Sequence, residues 1–183
     1  MKNICFFGHR NLWGRDVRDR LKNELQSHLE DEVHCFVGTH GEFDSLALSV
    51  CRELRRTYKN LKITVVFTSL NILKKDKELE YSIADNYDDV ETMIYDIEEE
   101  HFKNQIVVSN RRMVDDCSIV ICYVDMKEFR SGAKRAVNYA KKQGKQIINL
   151  FQEQDRPFYG MTKEEIEAEW EKRRNELKSN TKK

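Results

Sequence analysis

The sequence has 183 residues, with 32 Lys and Arg, 32 Asp and Glu, and a formal net charge of zero. The length predicts one domain with a sizeable core, and the balanced charge gives no sign of a nucleic-acid or acidic partner, although it allows a local basic pocket. The five cysteines form no CxxC pair and indicate neither a disulfide framework nor a metal site. No apolar run approaches about 18 residues, and the amino terminus is unlike a signal peptide, so we expect a cytoplasmic protein without membrane contact.

The first apolar run, residues 4–7, predicts a strand buried on both faces and ends at Gly8, His9 and Arg10. Ligands of open parallel sheets bind beyond the carboxyl ends of the strands. We therefore expect Gly8 to let a ligand come close, and His9 and Arg10 to direct hydrogen-bond donors at an anionic group such as phosphate. The alternative is a surface arginine and a capping histidine at an ordinary turn.

Helical and strand periodicities then alternate. Apolar residues at every fourth position predict a helix over residues 14–30, and residues 33–37 predict a second strand. A third strand is predicted at residues 62–67, and a short one at residues 92–95. The polar stretch of residues 69–91 reads as a long excursion of the kind that often forms a lid.

The turn after the second strand reads GTHGEFD and is a second candidate site. Gly38, Thr39 and Gly41 precede a helix, whose unpaired amides and dipole would attract an anion. Asp44 would either cap this helix or hold a ribose hydroxyl, and capping is the commoner role. Glu42 with His40 resembles part of an acid-base or metal pair, but two side chains fall short of a metal site, so no metal is expected.

The second half of the chain supplies a third candidate site. A helix is predicted at residues 102–115, followed by an apolar strand at 118–124 that should lie beside the first strand, a helix from Gly132 and a last strand at 146–150. Guanidinium groups suit phosphate, and a serine and a glycine at a helix start present hydroxyl and amide donors. These residues form a plausible phosphate clamp: Arg111, Arg112, Ser131, Gly132 and Lys134, with Arg130 in the same turn. The alternative is that one or both arginines are only solvated.

The carboxyl-terminal part differs in kind. Thr162 and Glu165 form the pattern of a capping box, and Ile166, Trp170 and Leu177 give a thin apolar stripe on a highly charged helix. We therefore divide the chain into a domain of residues 1–155 and a charged helix and tail of residues 156–183. Such a helix should dock on the domain or on a second subunit.

Right-handed crossovers imply a mostly parallel central sheet, covered by helices on both faces in a Rossmann-like three-layer sandwich with an added C-terminal helix. In that fold class, α/β, the strand ends open on one side. The three candidate sites are therefore expected to converge around one pocket.

Four blocks in order carry a family resemblance: FFGHR, GTHGEFD, SNRRMVDDCSIVICYV and SGAKRAVNYAKKQGKQIINL. Over residues 3–150 the chain resembles the SLOG superfamily, which includes the SMF/DprA and LOG proteins, and most closely its small bacterial YpsA-like branch. The resemblance implies a Rossmann-like domain that binds nucleotides or nucleotide-derived ligands at the strand ends, often as a homo-oligomer.

The sequence departs from the enzymatic pattern of that superfamily. In the resemblance to this superfamily, the LOG-type phosphoribohydrolases share a PGGxGTxxE block, whose glutamate acts on the ribosidic bond. Here Gly132 and Ala133 stand where GT would be, and Ala136 stands where the glutamate would be. Single-stranded DNA binding, as in the DprA branch, is not expected either, because the sequence shows no basic stripe with interleaved aromatics.

Two function classes remain. The first is a module that binds or senses a nucleotide-like small molecule, without a further cofactor and with nucleic acid not expected as a partner. The second is an enzyme that cleaves an N-glycosidic or phosphate bond of a nucleotide, with Glu42, Asp44 or His9 replacing the missing glutamate.

Overall fold

The computed structural model describes residues 1–68, 86–95, 97, 102–129 and 131–180. Its strands are β1 (Lys2–Gly8), β2 (Val33–Val37), β3 (Leu61–Phe67), β4 (Glu91–Ile94), β5 (Ile119–Tyr123) and β6 (Gln146–Asn149). Its helices are α1 (Val17–Gln26), α2 (Glu42–Thr57), α3 (Phe102–Asp116), α4 (Gly132–Lys142) and α5 (Lys163–Asn180).

The six strands form one sheet in the order β4-β3-β2-β1-β5-β6, and each neighbouring pair is parallel. Alternate residues of β1 enter opposite faces of the sheet, which is why its run is apolar throughout. Ile4 and Phe6 pack with α1 and α2, whereas Cys5 and Phe7 pack with α3 and α4. The predicted Rossmann-like three-layer fold is therefore confirmed.

The strand order places a topological switch point at β1. The chain runs outward from β1 through β2 and β3 to β4 and then returns to β5, which pairs with β1 on the other side, as predicted. Connections after β1 and β5 leave the sheet toward opposite faces, so a crevice opens at the carboxyl ends of these two strands.

Helix α1 is shorter than the predicted span of residues 14–30. Before it, the N–H of Gly14 donates to the Tyr123 hydroxyl at 3.1 Å, which holds this segment against β5. After it, the amides of His28 and Leu29 bond three residues back, so the chain tightens into a turn. Leu29 is still buried in the core, which is why its apolar spacing resembled helix.

The expected excursion of residues 69–91 and its suggested lid fall largely outside the described residues. Its final residue begins β4, which pairs with β3 one position earlier than predicted. No helix in the described part of the chain combines the length and apolarity needed to cross a membrane.

The predicted capping box starts α5. The N–H of Thr162 donates to the Glu165 carboxylate at 2.8 Å, and the N–H of Glu165 donates to the Thr162 hydroxyl at 3.3 Å. Trp170 remains 50% exposed and touches Phe158, with ring centroids 5.6 Å apart. The side chain of Leu177 lies outside the described residues, and the division at residue 155 stays a prediction.

Candidate functional site

A cavity of about 320 Å³ opens at the switch point, and we call it the cleft. Its walls come from the ends of β1, β2 and β3, one side of α3, and the first turn of α4. It contains part of each candidate site predicted from the sequence. These predicted residues line it: Gly8, His9, Arg10, Gly38, Asp44, Ser131 and Gly132.

Arg10 and the start of α4 are the groups of the cleft best suited to an anion. Arg10 is exposed and its guanidinium forms no ion pair or hydrogen bond within the described part of the chain. Ser131 caps α4, its hydroxyl accepting from the N–H of Lys134 at 3.2 Å. Gly132 and Ala133 line the cleft, and their N–H groups belong to the first helical turn, which has no intrahelical acceptor.

His9 has a different role from the predicted one. It is 6% exposed, and its Nε2 accepts from the backbone N–H of Asp125 at 2.6 Å, which requires an unprotonated Nε2. Nδ1 therefore carries the proton and donates to Glu128 at 2.8 Å. Both ring nitrogens are thus bonded to residues of the segment between β5 and α4, which we call the β5–α4 connection. His9 borders the cleft but offers no donor to a ligand.

Asp44 lies on the α2 side of the cleft. One of its carboxylate oxygens accepts from the backbone N–H of His40 at 2.8 Å, so Asp44 fixes the turn before α2, whose own start at Gly41 has no side-chain cap. Burial raises the pKa of Asp44 to about 6, and this hydrogen bond only partly opposes the effect. His40 in turn bonds the Thr68 hydroxyl at 2.8 Å through Nε2, and burial lowers its pKa.

The start of α2 is not the open anion site that the glycines suggested. The N–H of Glu42 donates to the carbonyl of Arg10, and a Cβ on Gly41 would lie 3.0 Å from the Arg10 Cα. The Glu42 carboxylate accepts from the N–H of Leu12 at 2.7 Å. The chain itself thus covers this helix end, and neither Gly41 nor Glu42 lines the cleft.

Gly8 borders the cleft, but its missing side chain serves packing. A Cβ at this position would overlap the side chain of Phe43, a fully buried residue in the first turn of α2. The expectation that Gly8 lets a ligand approach is therefore corrected: Phe43 occupies that space.

The remaining predicted residues point elsewhere. Arg111 lies in a separate groove with its guanidinium over the Tyr139 ring, and Arg112 is exposed on α3. The ammonium of Lys134 donates to the carbonyl of Glu128 at 3.0 Å. Thr39 lines a neighbouring cavity beside α2. Arg130 is outside the described residues. Of the described residues of the predicted phosphate clamp, Ser131 and Gly132 line the cleft.

The cleft also contains residues that sequence analysis did not commit to. Thr68 directly follows β3, and its position at a strand end could have indicated in advance that it lines the cleft. His40 was noted in the second candidate turn, and Ser109, Asn110 and Ala133 adjoin residues of the third candidate site. The other residues of α3 had no local signal because this helix meets the strand ends only in the folded chain. The additional lining residues are Phe6, Phe7, His40, Val66, Thr68, Ile106, Ser109, Asn110, Met113, Glu128 and Ala133.

Comparison with known proteins supports the fold. No family model and no curated relative matches the sequence. The chain is similar to DNA processing protein A from Streptococcus pneumoniae, with a TM-score of 0.56 and 19% identity over 81% of this chain and 50% of that one. It is also similar to DNA processing protein A from Helicobacter pylori, which binds single-stranded DNA, with a TM-score of 0.53 and 14% identity over 82% of this chain and 66% of that one.

At these identities the likeness shows the fold, and the chain spans only half to two thirds of the length of these proteins. It agrees with the SLOG resemblance at the level of the superfamily fold, whereas the YpsA-like branch stays a prediction. The expectation that nucleic acid is not a partner is wrong, because a protein of this fold binds single-stranded DNA. That expectation relied on the balanced charge and on the lack of a basic stripe with interleaved aromatics in the sequence, and neither reports how charge is distributed over the folded surface.

Proposed function

We propose that the cleft binds a nucleotide or nucleotide-derived ligand, with the phosphate between Arg10 and the first turn of α4. The observation that carries the proposal is the sharing of one cavity by the Arg10 guanidinium, which has no partner among the described residues, and a helix start at the switch point of a parallel sheet. Charge-assisted hydrogen bonds from Arg and from helical N–H groups are a common means of binding phosphate.

The rest of the cleft suits a nucleoside. Asp44, His40 and Thr68 supply polar groups on one side, and apolar side chains such as Ile106 and Met113 supply contacts for a base on the other. Ligand pockets typically combine an apolar lining with a few polar groups. The shared fold of the Helicobacter pylori protein supports including single-stranded DNA among the ligands that present such a nucleotide.

A second candidate function is cleavage of a nucleotide bond with Asp44 as acid or base. Of the carboxylates and imidazoles considered for this role, Glu42 and His9 are engaged by backbone or side-chain partners away from a ligand. Asp44 borders the cleft with a pKa raised to about 6 by burial, close to the range of an effective general acid-base group. Ala136 is buried in the core and supplies no carboxylate.

A ligand screen with product analysis separates these functions. The full chain is mixed with nucleoside monophosphates, ADP-ribose and a deoxyoligonucleotide, binding is followed by thermal shift, and the mixtures are then separated by chromatography. Binding without new products supports the first function. A released base or phosphate that disappears in Asp44→Asn supports the second. If none of these probes raises the unfolding temperature, the cleft does not bind nucleotides.

A further inference from the structure

Another cavity, of about 390 Å³, opens between α3 and α4 beside the cleft. We call it the helical groove; Arg111 of α3 and Arg135, Tyr139 and Lys142 of α4 line it. The cleft and the helical groove share Ile106, Asn110 and Gly132. Apart from the chain neighbours and the backbone of α4 itself, no atom of the described residues lies within 4 Å of the position that a Cβ on Gly132 would take, so the border between the two cavities is open there.

The charge of the helical groove is of one sign. Its lining contains the cations Arg111, Arg135 and Lys142 and no carboxylate. None of these cations has an ion pair within the ranges that the structure describes. The Arg111 guanidinium lies 5.5 Å from the centre of the Tyr139 ring, a contact that orients it without neutralising its charge. The Asp115 carboxylate accepts from the Tyr139 hydroxyl at 2.9 Å but does not line the groove. Like charges that share a lining without a carboxylate favour binding of an anion.

The cleft, in contrast, has a limited capacity for phosphate. It contains the guanidinium of Arg10 together with the carboxylates of Asp44 and Glu128. Its volume is at the small end of ligand pockets, enough for about one nucleotide. A ligand with a second phosphate must therefore place it outside the cleft, and the open border at Gly132 leads to the cations of the helical groove.

We propose that the helical groove binds the second phosphate of a dinucleotide whose first nucleotide lies in the cleft. This inference rests on the proposed function of the cleft and specifies its ligand as a phosphodiester-linked pair of nucleotides. The linking chain crosses over Gly132, and Arg111 and Lys142 neutralise the phosphate beyond it.

Neighbouring residues of equal charge allow a matched test. Arg111 and Lys142 line the helical groove, whereas Arg112 and Lys141 are the adjacent exposed cations and do not line it. Calorimetry compares the wild-type chain with Arg111→Gln, Lys142→Gln, Arg112→Gln and Lys141→Gln. The probes are the nucleoside 5′-monophosphates of the four bases and the matching 5′-phosphorylated dinucleotides. All four positions are exposed, so the variants keep the fold, which circular dichroism verifies.

We expect the dinucleotide to bind about tenfold more tightly than the monophosphate. Arg111→Gln and Lys142→Gln should each weaken dinucleotide binding about threefold to tenfold and leave monophosphate binding unchanged. Arg112→Gln and Lys141→Gln should change neither. A dinucleotide that binds no better than the monophosphate, or equal losses in the control variants, overturns the inference while nucleotide binding in the cleft stands.

Two other outcomes are distinguishable. If neither monophosphates nor dinucleotides bind the wild-type chain, the proposed function fails and the inference fails with it. If a deoxyoligonucleotide of about 12 residues depends on Arg111 and Lys142 while the dinucleotides gain nothing over monophosphates, the helical groove follows a DNA strand and the dinucleotide proposal is overturned.

Discussion

Gly8 has no side chain, and this lets the end of β1 pack directly against Phe43. Because a Cβ there would overlap the Phe43 ring, we expect Gly8→Ala to lower the free energy of unfolding by about 1 to 3 kcal/mol, the usual cost of overpacking. Gly132→Ala is the matched control and should change stability little, since a Cβ there meets no described atom within 4 Å beyond the adjoining backbone of its own helix. Urea denaturation measures both. Equal stability of the wild-type and Gly8→Ala chains would show that Phe43 moves aside freely.

Asp44 gives a prediction about pH. Burial raises its pKa in the folded chain to about 6, above the value of about 3.9 for an exposed aspartate. Folding therefore favours the protonated carboxyl, and the stability that this group contributes below pH of about 4 is lost as pH rises through 6. Asp44→Asn keeps an acceptor for the His40 amide and removes the buried charge.

We expect Asp44→Asn to be more stable than the wild-type chain at pH of about 7.5, by up to about 2 kcal/mol, and nearly equal to it at pH of about 4. Denaturant titrations at several pH values measure the difference. A difference that does not vary with pH would mean that the carboxyl is not perturbed by burial.

Sequence analysis named several residues of the cleft correctly as neighbours but could not assign their roles. His9 follows a buried strand, so its place at the strand end is local information. Its partner Asp125 lies 116 residues further along the chain, and only folding shows that the imidazole is already used. The same holds for Glu42, whose carboxylate is taken by the amide of Leu12, 30 residues away.

The β5–α4 connection is the element that carries the phosphate end of the cleft. His9 holds it through the Asp125 amide and the Glu128 carboxylate, and Arg156 holds it through two hydrogen bonds to Asp125, at 2.6 and 2.9 Å. These bonds from Arg156 lower the pKa of Asp125 to about 2. Because this value is below that of an unfolded aspartate, the pair stabilises the fold at neutral pH and is lost only as pH falls below about 4.

His9→Ala should loosen this connection. We expect hydrogen exchange of the Asp125 amide and its neighbours to speed up about fivefold or more, which corresponds to loss of one buried hydrogen bond. Exchange in β2 and β3 should stay near the wild-type rate. A uniform increase across all strands would instead mean that His9 supports global stability and does not position this element.

The elements themselves were largely predictable because β1 and β5 are buried on both faces and show continuous apolar runs. Their boundaries were less so. The segment before α1 is held by a bond from Gly14 to Tyr123, and the start of α2 is covered by the Arg10 carbonyl, which no local pattern reports. Turn glycines therefore predicted two helix starts as anion sites, whereas only the start of α4 lines the cleft.

At the scale of the whole molecule, α5 leads us to propose a homo-oligomer. Trp170 is still half exposed against Phe158, and covering the rest of the indole would contribute about 1 to 2 kcal/mol per subunit. We expect light scattering to give the mass of a dimer at micromolar concentration. A chain truncated after Gly160 shows whether α5 takes part in the assembly. If it does, the truncated chain should have the mass of a monomer. A monomeric full chain would reject the oligomer.

Whole-chain charge conceals a local asymmetry that matters for ligands. The net charge is zero, yet the helical groove gathers Arg111, Arg135 and Lys142 without a carboxylate in its lining. Composition cannot report this because the cations come from two helices that meet only in the fold. The mistaken exclusion of nucleic acid has the same origin.

The central claim is that a nucleotide phosphate binds at Arg10, and calorimetry of Arg10→Gln with the nucleoside 5′-monophosphates tests it most directly. Arg15→Gln is the control, because Arg15 is an exposed arginine that does not line the cleft. We predict a loss of at least about tenfold in affinity for Arg10→Gln, as for one charge-assisted hydrogen bond, and no change for Arg15→Gln. Equal affinities of the wild-type chain and Arg10→Gln, or no binding of any monophosphate, would contradict the claim.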